Sequence, residues 1–354
     1  MSSSIGHQVK VTLFGQSHSE GIGVVIDGLP AGEPVDLEQA QAFMGRRAPG
    51  RNAHSTPRRE ADLPRVLSGL VDGKTCGAPL CCVIENTDTR PKDYEKLRSL
   101  PRPVHADYTA HIKHGGHNDI RGGGHFSARL TAPLCFAGAV SLQILGRRGI
   151  TVGAHIASIA DIKDTPFDPV AVTPRQLAQV TGKDFPVLQD TAGEQMRAAI
   201  QQARLGQNSL GGGVECCALG LPAGLGEPFF DRLDSRLAAA VFAIPAVKGV
   251  EFGAGFGAAG LTGAENNDPF YRAADGAVKT SANHHGGVLG GISSGMPLLL
   301  RAAFKPTPSI SLRQQTVNLT QGGEDDLVIH GRHDPCVVPR AVPCVEAAEA
   351  ITLL

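Results

Sequence analysis

Glycine is the residue that most limits what this chain can become. It occupies 44 of 354 positions, against a usual share of roughly 7%. No every-third-residue period accompanies it, which excludes a collagen-like coil. The glycines stand between well-formed apolar segments, which excludes a low-complexity tract. In a globular chain such glycines serve tight turns or let backbone approach a ligand closely. Here they gather in RGGGHF (121–126), GVEFGAGFG (249–257) and HHGGVLGGISSG (284–295).

Lys and Arg number 33 against 34 Asp and Glu, for a formal charge of -1. That balance excludes a general nucleic-acid or membrane-surface binder, which needs a basic excess. No basic segment followed by an apolar one opens the chain as a secretory signal would. The apolar runs fall short of the ~18 residues of a spanning helix. Eight cysteines form no C-x-x-C pair and lie mostly in apolar strings such as PLCCVIE and GVECCALGL, where a thiol behaves as a small hydrophobe. These features predict a soluble, cytoplasmic protein.

Alternating apolar residues predict strands at VKVTLF (9–14) and IGVVID (22–27), joined by the polar turn GQSHSEG. Asp36 followed by Gln39 reads as a capping box opening a helix that ends in Arg46 and Arg47. The segment 66–86 reads as two strands around a Gly-rich turn, and 90–125 as a long functional loop. From Ser127, SARLTAPLCFAGAVSLQILGRRG suits a buried helix despite Pro133. Strands at TVGAHIASI, VECCALGL, GVEFGAG, PLLLRAAF and DLVIHG follow, with helices at 193–206 and around DRLDSRLAAAVFAI, and a last helix from about Val338 that contains Pro343. A polar insertion with Pro166, Pro169 and Pro174 separates the first of these strands from the 193–206 helix. There is no regular βαβ beat, internal repeat or linker, so an α+β fold in a single domain, 1–354, is expected.

Five constellations bear on chemistry. Gly15-Gln16-Ser17-His18 sets a hydroxyl beside an imidazole in a turn, suited to proton relay. Arg46, Arg47, Arg51, Arg58, Arg59 and Arg65, relieved by Glu60 and Asp62, suit an anionic small molecule, although a solvated charge run is the bland alternative. Arg121, His125, Ser127 and Arg129 cluster about three glycines before a helix start, a ready anion site. His111, His114 and His117 are spaced as metal ligands only if the stretch is helical, and Gly115-Gly116 argues against that. NHHGGVLGGISSG and KPTPSI offer backbone donors and hydroxyls beside a cation, suited to a phosphate-bearing cofactor. A literal G-x-G-x-x-G at Gly255, Gly257 and Gly260 is no dinucleotide fingerprint, because LTGAENNDP after it cannot open a helix.

The ordered set FGQSHSEGIGVVIDGLPAG, RRAPGR, PVHADYT, RGGGHFSARLTA, IPAVKGVEFGAGF, NHHGGVLGGISSG, KPTPSI and GRHDPC resembles the chorismate synthase family across essentially the whole chain. The resemblance implies a β-α-β sandwich, usually a homotetramer. It implies a trans-1,4 elimination of phosphate from 5-enolpyruvylshikimate 3-phosphate with reduced FMN as cofactor. It assigns His18, with Ser17 in relay, to the departing phosphate, His105 to the flavin, and Asp334 to the C6 proton, with Ser127 also catalytic. Flavin contacts carry over to His125, Phe126, Ser127, Pro245, Ala246, Gly290, Lys305, Pro306, Thr307, Pro308, Ser309 and Arg332. Arg46, Arg47, Arg51 and Arg129 carry over as contacts to the substrate or to NADP. No metal is implied, and the partners expected are a polyanionic small molecule and an external flavin reductase, with NADPH as a possible reductant.

Departures from the family pattern are Gln16 and Ser19 within GESHG, Val104 before HAD, His125 and Phe126 in place of Arg-Ser, Pro245 for Asn, and Ala53 for an Arg that Arg51 would replace. A flavin-binding protein without turnover, or a metal-dependent phosphohydrolase using the 111–117 histidines, are the alternatives.

Overall fold

Apolar alternation builds the first sheet. In β5 (Leu80–Glu85), Leu80, Cys82 and Ile84 are buried while the residues between them are less so, the mark of a strand covered on one face. β1 (Ser4–Ile5), β2 (Lys10–Gly15), β3 (Gly21–Asp27) and β4 (Arg65–Ser68) join it in the order β1-β2-β3-β5-β4, every pair antiparallel. The second sheet comprises β6 (Thr151–Ile159), β7 (Ile162–Lys163), β8 (Gly212–Leu219), β9 (Val247–Phe252) and β10 (Leu298–Phe304), in the order β9-β10-β8-β6-β7 and again antiparallel. This is a computed structural model that describes residues 3–50, 60–88, 91–329 and 333–354.

Between the sheets lie α1 (Leu37–Arg47), α2 (Thr131–Arg147), α3 (Leu233–Phe242) and α4 (Val338–Leu353). α2 packs against strands of both sheets, and α4 against α1, α2, α3 and the second sheet. Both central helices are largely apolar and buried, as suits helices enclosed by other elements. The Arg121–Arg147 stretch is in fact long and apolar enough to cross a membrane, contrary to the sequence expectation, but 78% of its apolar window is buried inside the fold. α2 and α4 touch backbone to backbone: a Cβ on Gly138 would stand 2.2 Å from the Cβ of Ala347. One continuous apolar cluster runs from Val11 to Ile351 through both sheets. The layers are those of an α+β sandwich.

Several local expectations change in the structure. Asp36 caps α1 by accepting from Gln39 N at 2.9 Å, but Gln39 does not reciprocate. The Asp36 N–H instead donates to Gln143 Oε1 of α2, whose Nε2 returns a bond to Asp36 O, each 2.8 Å. A tertiary contact has replaced half of the capping box. The helix expected from Ser127 begins as a 3-10 turn, Ala128–Leu130, and becomes α-helical at Thr131. Pro133 then lies in the first turn, where no intrahelical donor is lost. The expected two-strand hairpin carries a smaller one, Leu70–Val71 with Lys74–Thr75, at its turn. The polar insertion holds a helix, Pro174–Thr181, opened by a Thr173–Gln176 capping box with Pro174 in its first turn. The strand expected at DLVIHG is shifted to Glu324–Leu327.

Most cysteines are buried as expected, with Cys76 exposed and Cys81 intermediate. The oddest core residue is Glu349 of α4, fully buried with neither carboxylate oxygen hydrogen-bonded among the described residues. Burial, reinforced by Glu346 and opposed by Cys216, pushes its carboxyl up to about 8. The folded state therefore keeps a proton that the unfolded chain releases from its ordinary value of roughly 4.3 upward, so this group costs stability as pH rises through that window. Glu349→Gln should raise the melting temperature at pH 8 by more than at pH 5, a difference readable by calorimetry across pH. Equal shifts at both pH values would contradict the protonation argument.

Candidate active site

Three glycines shape the floor of the site. Gly122, Gly123 and Gly124 all have positive φ (59°, 83° and 55°), a backbone region costly for side-chain-bearing residues. The freed space is filled by function-bearing groups. A Cβ on Gly122 would lie 2.5 Å from both His18 Cε1 and Ser17 Oγ, and one on Gly123 would lie 3.3 Å from the His105 ring. Gly124 O accepts from Ser17 N at 3.1 Å. The glycine run thus brings GQSH and PVHAD together.

These groups border a cavity of about 930 Å³. Of the residues singled out in the sequence, Ser17, His105, His125, Phe126, Ser127, Pro245, Ala246, Lys305, Thr307, Pro308, Ser309, Asp334, Arg47 and Arg129 line it. His18 does not. It lies behind Ser17, with Nδ1 3.2 Å from Ser17 Oγ and its ring edge-on to Tyr94 at 5.0 Å. Gly290 is exposed at the turn of a separate hairpin, Val288–Leu289 with Ile292–Ser293, and Pro306 is likewise not among the lining residues. Arg46 is also absent from the lining: its guanidinium forks onto buried Glu346 at 2.5 and 2.9 Å, a structural pair between α1 and α4. Arg51, Ala53 and Arg332 lie outside the described residues.

His105 is held by neighbours that the sequence reading passed over. Arg102 donates to Asp107 through Nε at 2.7 Å and Nη2 at 2.9 Å, and reaches Ser309 Oγ at 3.2 Å. Asp107 Oδ1 stands 2.7 Å from His105 Nδ1. Burial lowers the His105 pKa, with Arg102 and Lys305 adding to the effect against Asp107, so the ring is neutral near pH 7. Arg102 and Asp107 flank His105 in PRPVHAD, and that opposite-charge pair was the available signal.

The arginine block is internally compensated. Arg47 donates from Nε to Thr131 Oγ1 at 2.8 Å, from Nη1 to Asp62 Oδ2 at 2.8 Å and from Nη2 to Ala128 O at 2.9 Å. Arg129 pairs with the other Asp62 oxygen and donates to Asn86 Oδ1 at 2.9 Å. Arg340, unremarked in the sequence, pairs with Asp334 and donates to Arg47 O at 2.9 Å. Burial works against Asp62, but Arg47 and Arg129 hold its carboxyl below the usual range.

The substituted positions have roles of their own. The Gly15 carbonyl can only accept, so His125 Nδ1 carries a proton and donates to it at 2.9 Å. Its Nε2 lies 2.8 Å from Ser3 Oγ. His125 thus ties the N-terminal segment to the end of β2. Phe126 leans on His114 at 6.4 Å. Ser19 Oγ accepts from Gln16 N at 3.0 Å and closes the GQSHS turn. Val104 stands at φ 55°, where a family glycine would be relaxed. His111 lies in the last turn of a short helix, Asp107–Lys113, and His114 is its C-cap, and among the described residues no three ligand-type side chains converge to hold a metal.

The opposite wall suits a phosphate ester. Lys305, whose N–H bonds Ala246 O at 2.9 Å, has no ion-pair partner among the described residues. Thr307 Oγ1 and His333 Nε2 are buried without hydrogen-bond partners among the described residues. Burial, Arg102 and His105 depress His333 to about 4 against Asp334, so it too is a neutral ring. A phosphate beside Lys305 would satisfy the Thr307 hydroxyl, so the residues present fit a phosphate-bearing cofactor such as FMN.

Asp62→Asn removes the carboxylate that Arg47 and Arg129 share, leaving Arg47 to Thr131 and Ala128 O and Arg129 to Asn86 and the more distant Glu60, and should lower stability by about 3 kcal/mol near pH 7. Because the folded pKa of Asp62 is depressed, its contribution is complete above the unfolded value of roughly 3.9 and fades as pH falls through the folded value. Urea titrations should therefore show the deficit of D62N shrinking below pH 4, and a deficit constant with pH would refute the pairing as its source.

With this geometry described, comparison with known proteins is direct. The family model described as Chorismate synthase matches residues 9–354. A protein named chorismate synthase from Lancefieldella parvula is 47% identical, covering 100% of this chain and 96% of its own. One from Dehalococcoides mccartyi is 50% identical with the same coverage. A solved structure titled "Crystal Structure of Chorismate Synthase" superposes with a TM-score of 0.77 at 28% identity, covering 98% of this chain and 90% of that one. The chain belongs to the chorismate synthase family.

Proposed function

We propose that the protein catalyses the trans-1,4 elimination of phosphate from 5-enolpyruvylshikimate 3-phosphate to give chorismate, a carbon–oxygen lyase reaction. One observation carries this reading: a single cavity is bordered by Ser17, His105, Ser127 and Asp334 together with Lys305, Arg47, Arg129 and Arg340. Its size lies within the roughly 300–1,000 Å³ of small-molecule sites, and its cations suit a ligand bearing a phosphate and two carboxylates.

In this reading Lys305, with Thr307 and Ser309, holds the phosphate of FMN, and His105, Phe126, Ala246 and Pro308 border the ring. Bound there in its reduced form, FMN would supply electron density for C–O cleavage with no net redox change. Ser17 faces the ligand and passes a proton from His18 to the departing phosphate. The Arg102–Asp107 pair orients His105, whose neutral ring offers one hydrogen bond. Asp334, paired with Arg340, takes the C6 proton as the new double bond forms. Arg47 and Arg129, held by Asp62 and, for Arg129, by Glu60 at 3.8 Å, offer their guanidiniums to the substrate carboxylates. Ser127 holds the turn from which Arg129 projects.

The reading extends to one domain over 1–354 and to an external flavin reductase as the source of reduced FMN, with NADPH as an alternative reductant. It also extends to a homotetramer, in which the exposed Phe229, Phe230, Phe256 and Phe270 would be covered. Sedimentation should give four times the chain mass, and a monodisperse monomer at micromolar concentration would remove that part.

Anaerobic protein with chemically reduced FMN should release phosphate and form chorismate. Phosphate release with oxidised FMN or none, and no turnover with reduced FMN, would overturn the reading. His18→Ala and His105→Ala should each lower the elimination rate about 10²- to 10⁴-fold, with melting temperatures near that of the parent.

A further inference from the structure

Two thiols meet where α2 and α4 cross. Cys135 Sγ donates to Cys344 Sγ across 3.9 Å, and both side chains are buried. They sit one turn from the contact of Gly138 with Ala347, three residues before each. Helices that touch backbone to backbone hold facing cysteines within the span a disulfide needs.

The two sulfurs are not equivalent. Cys344 lines the cavity, whereas Cys135 does not. Arg47, Arg340 and Thr131, which also line the cavity, all act on the Cys344 sulfur. The bond from Cys135 does most to lower Cys344 below an ordinary thiol, against burial and with help from Arg47. Burial drives Cys135 the other way, well above the ordinary value. Neither residue has a part in the proposed elimination. Cys344 Sγ also donates to Arg340 O at 3.4 Å. A thiol that lines a cavity, made more acidic by two guanidiniums and a second thiol, is the arrangement of an oxidisable cysteine with its resolving partner.

We propose that Cys344 is a modification site for hydroperoxides and related small electrophiles entering the cavity, and that Cys135 resolves its oxidised form as a disulfide. The Cys344 thiolate attacks one oxygen of hydrogen peroxide. The O–O bond breaks, and hydroxide leaves and is protonated to water. Cys135 sulfur then attacks the resulting sulfenic sulfur. The S–S bond forms, the S–O bond breaks, and the leaving hydroxide takes the Cys135 proton as a second water. Two electrons pass from the thiol pair to the peroxide.

Peptide mapping of the folded, full-length protein tests this without any assay of elimination, so it stands or falls separately from the proposed function. Under limiting iodoacetamide, Cys344 should label at least roughly tenfold faster than Cys216, which is equally buried but has burial pushing its thiol well above the ordinary value. Under limiting hydrogen peroxide, a Cys135–Cys344 cross-linked peptide should form and dithiothreitol should reverse it. In Cys135→Ala the cross-link should vanish and dimedone should trap a sulfenic acid at Cys344. Labelling of Cys344 no faster than Cys216 would overturn the proposal, as would oxidation of the parent protein to a sulfinic acid with no cross-link. If the Cys135→Ala variant does not fold, the two measurements on the parent protein still decide.

Discussion

The contact of Gly138 with Ala347 is the constraint on which the rest of the molecule depends. With no side chain at Gly138, two apolar helices meet backbone to backbone and form a layer thin enough for a sheet to cover each side. The N-terminal turns of both helices then open at the same end. Leu130, Thr131 and Leu134 of one and Val337, Arg340, Ala341 and Cys344 of the other border the cavity together. Arg47, the last residue of α1, reaches into the same corner. The site is thus the place where three helix ends of the middle layer converge. A larger side chain at the crossing would separate those ends before it disturbed either sheet.

Charge within the site follows a second rule: each buried guanidinium is committed before any ligand arrives. Arg47 and Arg129 share Asp62, Arg340 holds Asp334, and Arg102 holds Asp107. Buried charges need such partners to be tolerated at all. The consequence is a rigid positive field with few free donors, and direct contact with an anion is left mainly to Lys305 and the hydroxyls around it. Arg46 shows the same economy turned wholly to structure, since Glu346, the carboxylate it holds, also accepts from Ala154 N at 2.9 Å in the second sheet.

Much of this was legible in the chain, and the failures have physical causes. β6 coincides with the stretch TVGAHIASI, because apolar residues and β-branching agree there with burial. The gathering of GQSH, PVHAD and RGGGHF was legible only through the family resemblance, which assigned His18, His105 and Ser127 to one reaction. Arg46 and Arg47 could not be told apart by composition. They are adjacent on a helix and so point about 100° apart, one into the cavity and the other towards Glu346. Arg340 and Asp62 were invisible as site residues because their meaning comes from partners far along the chain. The helix at Pro174–Thr181 was hidden by prolines read as breakers, although the Thr173–Gln176 box announced it.

The place of α4 in the chain has a consequence for assembly. It fills the middle layer beside α2, yet every strand of the second sheet comes between them in sequence. A ribosome therefore releases the first sheet, α1 and α2 long before the helix that covers them exists. During that interval the apolar flank of α2 has no permanent cover, and transiently exposed apolar surface of this kind is prone to aggregation. The same long-range closure makes folding late and concerted, since neither sheet is sealed until the final helix docks.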